Sequence, residues 1–357
     1  MMKHFDESWV EPAVARINKS SVQHYSYHIT KSRLFSKTLV HRTTDCYALV
    51  GPSRVGKTSI AREFESTLNP ICSKELMKSR PVVRLTCRNR GDRGAFTTKG
   101  FLLDALAAID HPFYTIEGNK LNVNHENLRR QDRETVTTLQ AVFENALIVL
   151  GTKYLIIDET QHLQYMVGGK KSTLHMLEFF KSLAEKLDIT LLFVGAYPIV
   201  NVLQLSPHML GRLSTIEMRR YTVESDDSLA QFHELLHWFS TGIKFEKGVS
   251  SLCDWNRELF DGSLGVIGLL SSWIRDAFSE MIAQGDTNLS LEHLMYTRKP
   301  QLFLDEMARE INDGELYLRL GKIPENRRKK KKGAAKRTGN TKPFRSKVKR
   351  RQKGERA

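Results

Sequence analysis

The segment Gly51-Pro52-Ser53-Arg54-Val55-Gly56-Lys57-Thr58 constrains this chain more than any other feature. Its two glycines, lysine and threonine have the spacing of a loop that wraps phosphate. The apolar run Cys46-Tyr47-Ala48-Leu49-Val50 leads into it, as a strand buried on both faces does, and a helix is expected from Lys57. Gly51 and Gly56 let the backbone turn so that its N–H groups face inward, aided by the positive end of the following helix. Lys57 is expected to reach the β- and γ-phosphates of ATP, and the Thr58 hydroxyl to ligate Mg²⁺, with Pro52, Ser53, Arg54, Val55 and Ser59 completing the binding set.

A second half of the site is expected from Tyr154-Leu155-Ile156-Ile157-Asp158-Glu159, an apolar strand ending in two carboxylates. A strand of this kind delivers its last residues to the edge of the sheet where ligands bind in open α/β folds. Asp158 is expected to hold Mg²⁺ through water, and Glu159 to orient the attacking water, which points to hydrolysis in place of simple retention of ATP. Arg212 follows a fourth strand and a short helix. It is a candidate for completing the site of a neighbouring copy, or else a solvated surface arginine.

Around these motifs, apolar runs at 81–87, 154–157 and 189–194 alternate with helical periodicity at 102–107, from about 134 to 150, and at 174–187. That alternation predicts βαβ units and a parallel sheet covered by helices. From about Tyr221 the spacing is helical throughout. The expected organisation is an N-terminal arm (1–40), an α/β nucleotide-binding core (41–221), a small α-helical lid (222–321) and a basic tail (322–357), disordered when free.

The formal net charge of +15 resides in that tail, where seventeen Lys or Arg face two Glu; residues 1–321 carry 38 charges of each sign. Runs such as Arg327–Lys332 and Lys347–Arg351 fit salt-dependent binding to nucleic acid, docking to an acidic partner, or a solubilising extension. Cys46, Cys72, Cys87 and Cys253 form no CxxC pair, so neither a zinc knuckle nor a disulfide framework is indicated. The absence of a long apolar run or a leader pattern leads to the expectation of a soluble, cytoplasmic protein without a membrane span. His233-Glu234-Leu235-Leu236-His237 spells a zinc-protease pattern, but it lies on a helix whose Leu229, Phe232, Leu236 and Phe239 form a packing face, and it is set aside.

Taken together, the phosphate loop with its Ser53-Arg54 pair, Leu155 to Leu163, Leu192-Phe193-Val194-Gly195-Ala196 and Gly211-Arg212 resemble the TnsC/TniB family of transposition AAA+ regulators, relatives of the IstB and DnaC helicase-loader group. The resemblance covers roughly Tyr47 to Leu270. It implies a P-loop AAA+ core that oligomerises with ATP as a ring or helix on double-stranded DNA and connects a target-site selector to transposase subunits, hydrolysis controlling disassembly. It places DNA contacts at Lys99, within Phe96 to Phe101, and near Thr135, preceded by Arg129, Arg130 and Arg133. Thr98 as a helix cap and a solvated turn at Arg129–Arg133 are the plainer alternatives. Two positions depart from the family: Ala196 where a polar residue often follows Val-Gly, and Val266 where the lid can carry arginine. Slow turnover is expected. A helicase loader or replication initiator, and a nucleotide-held scaffold without hydrolysis, are the alternative functions.

Overall fold

A computed structural model describes residues 23–40, 45–72, 79–88, 96–114 and 134–320. Five strands form one parallel sheet in the order β2-β3-β4-β1-β5. In chain order the described elements begin with α1 (Tyr25–Leu39), β1 (Cys46–Gly51), α2 (Lys57–Cys72), β2 (Val82–Thr86), α3 (Thr98–Ala108), α4 (Val136–Val149) and β3 (Tyr154–Asp158). After a 3₁₀ turn (Thr160–Tyr165) come α5 (Lys170–Leu187), β4 (Thr190–Ala196), α6 (Ile199–Leu203), α7 (Pro207–Leu210) and β5 (Leu213–Glu217). The helices α8 (Asp226–Ser240), α9 (Asn256–Ser263), α10 (Ile267–Gln284), α11 (Leu291–Thr297) and α12 (Gln301–Leu320) follow. The α/β layer and the helices up to Gly314 fall within one compact unit, and residues from Glu315 belong to a second.

The sheet is central because its strands are apolar on both faces. β1 and β4 are buried at every residue, and alternation is unnecessary when helices cover both sides. One face packs Leu49, Ile156, Leu192 and Val194 against Tyr27 and Leu34 of α1 and Ile60 and Phe64 of α2. On α3, α5 and β4, Phe101, Phe180 and Phe193 form a chain of edge-on rings, with centroids 5.5 and 6.1 Å apart, a geometry that aligns ring edges with ring faces. The helical part has its own core, in which Phe232, Leu236 and Phe239 of α8 meet Trp273 and Ile274 of α10.

Two elements were not separately anticipated. β5 pairs along β1 from Cys46↔Leu213 to Val50↔Glu217. The expected N-terminal arm includes α1, whose buried Tyr27, Thr30, Leu34 and Thr38 recur at three- and four-residue steps. His24 Nδ1 lies 2.9 Å from the Tyr221 hydroxyl, and Lys31 and Tyr27 both bind Glu63 of α2, so this helix is fixed to the core. Residues 1–22, the segment with Arg129, Arg130 and Arg133, and the basic tail lie outside the described residues. Among the described residues no helix is long and apolar enough to cross a membrane. Cys46 and Cys87 are buried and Cys253 half-buried, each as a thiol outside any disulfide; burial pushes the Cys46 thiol up to about 11.

Candidate nucleotide site

The strand order sets the site. β3, β4 and β1 are neighbours, and Gly51 pairs with Ala196 at their C-terminal edge. The loop after β1 therefore opens beside the carboxylates that end β3, as expected where strand order reverses in an open parallel sheet. A cleft of about 410 Å³ is lined by Ser53, Arg54, Gly56, Lys57, Thr58, Ser59, Glu159, Gln161 and Ala196.

Within the loop, Gly56 has φ +114, a conformation costly for any residue with a Cβ. Gly51 is needed for a different reason than the expected turn. It ends β1, and a Cβ there would lie 2.3 Å from the Met218 carbonyl oxygen. Arg54 adopts φ +66 without being glycine, and its carbonyl accepts the Gly268 N–H at 3.1 Å, tying the loop to the first turn of α10.

Lys57 is 8% exposed, and its ammonium donates to the carbonyls of Gly51 at 3.1 Å and Pro52 at 2.5 Å. Burial pushes its pKa down to about 8, opposed by the charges of Glu159, Asp158 and Glu310. Asp158 is 2% exposed and its pKa is raised, chiefly by burial and further by Glu159, against the Glu159 N–H, Arg84 and Thr58. Thr58 Oγ1 donates to Asp158 Oδ1 at 3.3 Å, and the Glu159 N–H donates to the same oxygen at 2.9 Å. Arg84 stands 3.7 Å from the other carboxylate oxygen while bonded to Glu65 at 2.8 Å. A hydroxyl and a carboxylate at this separation form a hard-oxygen donor pair, the chemistry that Mg²⁺ selects, so Thr58 and Asp158 fit that ion.

Glu159 sits in the left-handed region at φ 56 and begins the 3₁₀ turn. Gln161, which the sequence reading passed over, donates from Nε2 to Glu159 Oε2 and accepts the Ala196 N–H at 3.2 Å. No local spacing marks it, because its second partner is a main-chain group on another strand. Val266, the other departure, is fully buried as the residue preceding α10.

Arg212 is not brought to this cleft. It directly precedes β5, its carbonyl accepts the N–H of Cys46 at the start of β1, and it therefore lies at the sheet edge opposite the phosphate loop. There it pairs with Glu185 at 2.7 Å, both side chains being more than 40% exposed. Lys99 lies in the first turn of α3, whose cap is Thr97, not Thr98: Thr97 accepts the Gly100 N–H at 3.0 Å. Thr135 is exposed and caps α4, accepting the Thr138 N–H at 3.1 Å. Phe96, ahead of α3, bridges to Met166, and its carbonyl accepts the Val167 N–H at 2.9 Å. His233 Nε2 meets the Asn256 amide at 2.6 Å, and no group of three metal-ligating side chains occurs among the described residues.

Residues 29–223 match the family described as "Bacterial TniB protein". The fold is similar to the Aeropyrum pernix ORC2 protein in its ADP form, with TM-score 0.52 and 12% identity over 80% of this chain and 71% of that one. Similar values hold for its ADPNP–ADP complexes, at 0.51 and 11% over 82% and 71%. Drosophila ORC in a structure bound to DNA gives 0.51 and 10% over 83% and 67%. At these identities the likeness establishes the fold alone, a parallel five-stranded sheet covered by helices and followed by a helical region. Sequence comparison with curated proteins finds no match.

Proposed function

The chain belongs to the TniB family, and from that premise we propose that it is an ATP-dependent regulator of DNA transposition that assembles on duplex DNA and disassembles on hydrolysis. The observation that carries this reading is the convergence of Lys57, Thr58, Asp158 and Glu159 on one edge of the sheet. Lys57 binds the β- and γ-phosphates, and the N–H groups of 51–59 cradle them. Thr58 and Asp158 would hold Mg²⁺, which would neutralise charge on the phosphate oxygens. Glu159 orients water so that its oxygen bonds to the γ-phosphorus as the bond to the β–γ bridging oxygen breaks and ADP leaves.

Arg212 acts on the site of another copy, since its place at the far edge removes it from its own. Site completion then requires neighbours, and ATP held between copies stabilises a ring or helical assembly through binding linkage. Lys99 and Thr135, at the N-termini of α3 and α4, contact DNA phosphates, an interaction without base preference that suits a target platform. A target-selecting protein and transposase subunits are the proposed partners. The domain reading is an α/β core over 41–221, a helical lid over 222–321 and a nucleic-acid-binding tail.

The test is Glu159→Gln. In ATP and Mg²⁺ the variant should retain nucleotide binding, lose phosphate release by at least about 100-fold, and form DNA-bound oligomers that outlast the wild type. Unchanged oligomer lifetime, with a wild type that releases no phosphate, would replace this reading with that of a nucleotide-held scaffold.

A further inference from the structure

We propose that Gln161 is the positioning residue for Glu159, an inference that rests on the hydrolytic reading of the site. Glu159 leaves the end of β3 in a left-handed conformation, which takes its side chain off the line of the strand and leaves its direction to be set by what it touches. The Gln161 amide supplies that contact and is engaged at both ends. Nε2 donates to Glu159 Oε2, and Oε1 accepts the main-chain N–H of Ala196 at 3.2 Å. His162 Nε2 stands 3.8 Å from the same carboxylate oxygen, beyond hydrogen-bond range.

Gln161 therefore links the ends of β3 and β4, neighbouring strands of the sheet, and both of its partners line the cleft with Lys57 and Thr58. Position 196 has no polar side chain to offer, but its N–H is fixed by the strand and provides the anchor. The preceding residue makes room for this arrangement. A Cβ on Gly195 would lie 2.4 Å from Gln161 Oε1, so the amide occupies the space that any other residue at 195 would fill. A carboxylate anchored through one amide to a buried strand is held to a narrow range of orientations, and misplacement of a water-orienting group by about 1 Å can lower a rate on the order of 100-fold.

The experiment compares the wild type with Gln161→Met, Gln161→Glu and Gly195→Ala. Steady-state hydrolysis is measured with ATP, Mg²⁺ and duplex DNA, separating kcat from KM across pH 5 to 9, alongside equilibrium binding of a fluorescent ATP analogue. Gln161→Met preserves length but cannot join the two partners, and should lower kcat about 10- to 100-fold with analogue affinity within about twofold of wild type. Gly195→Ala displaces the amide from the other side and should lower kcat in the same way. Gln161→Glu still accepts the Ala196 N–H but, as a carboxylate, cannot donate to Glu159 and sets a like charge beside it, and should lower kcat as Gln161→Met does. A role confined to packing would be met by the near-isosteric Glu and leave its kcat at the wild-type value, and this variant decides the matter if the Met variant does not fold. Wild-type kcat in Gln161→Met and Gly195→Ala, or in Gln161→Glu, overturns the inference. A wild type that turns over ATP, is silenced by Lys57→Ala and is indifferent at Gln161 sinks this inference alone; a wild type that binds without turnover sinks the hydrolytic reading and this one with it.

Discussion

Replacing Lys57 by Met should stabilise the nucleotide-free protein while abolishing its response to ATP. Lys57 is 8% exposed and its pKa falls from 10.5 to about 8 through burial. At 1.36 kcal/mol per unit, holding the charge at pH 7 costs about 3 kcal/mol of stability. The substitution also removes bonds to the carbonyls of Gly51 and Pro52, worth about 1 kcal/mol each, leaving about 1–2 kcal/mol in favour of Met. For a chain of this size the gain corresponds to a rise in Tm of roughly 1–3 °C. The sign of the pH dependence follows from the lowered pKa. Between about pH 8 and 10.5 the unfolded lysine keeps a proton that the folded one has released, so wild-type stability rises with pH across that window and the gap should close. Thermal unfolding of both proteins at pH 7 and pH 10 measures this, and ATP at about 100 times Kd should add about 2.7 kcal/mol to the wild type alone. A Met variant no more stable than wild type at pH 7, or a gap that persists at pH 10, would falsify the claim that the loop holds a charge its own contacts only partly offset.

Arg212→Ala should suppress turnover while leaving nucleotide affinity intact, and mixing it with Lys57→Ala should restore turnover that neither variant shows alone; no recovery means Arg212 serves no neighbouring site. Lys99→Ala should weaken duplex binding and reduce the salt slope by about one phosphate contact, and an unchanged slope in a salt titration removes Lys99 from the interface. Gly262→Ala would place a Cβ 2.2 Å from the Trp273 ring, and overpacking of this kind should lower stability by about 1–3 kcal/mol; denaturant unfolding with an unshifted midpoint would show that the α9–α10 contact yields freely.

The sequence was legible where burial is complete or spacing is local. β1 and β4 read directly because all their residues are buried. The phosphate loop and Asp158-Glu159 read because their chemistry is contiguous in the chain. β5 lies at the sheet edge, and within Leu213–Glu217 only Ile216 is buried, so it presents no apolar run. α1 hides its periodicity because two of its four buried residues are threonines. Gln161 was passed over because its meaning depends on an N–H 35 residues downstream, supplied by backbone whatever the side chain. Arg212 could be picked out by its place after β4 and a short helix, but its position at the far edge required the register of β5 on β1.

The short bridge between Phe96 and Met166 has a mechanical consequence. Phe96 stands three residues before Lys99, and Met166 directly ends the 3₁₀ turn that Glu159 begins and Gln161 occupies. A pull on the mouth of α3 would thus be delivered through main chain to the far end of that turn, like a tug on one side of a taut loop. The segment that opens α3 and the turn that carries Gln161 are thus held to one another by main chain, so neither can shift alone without breaking that bridge.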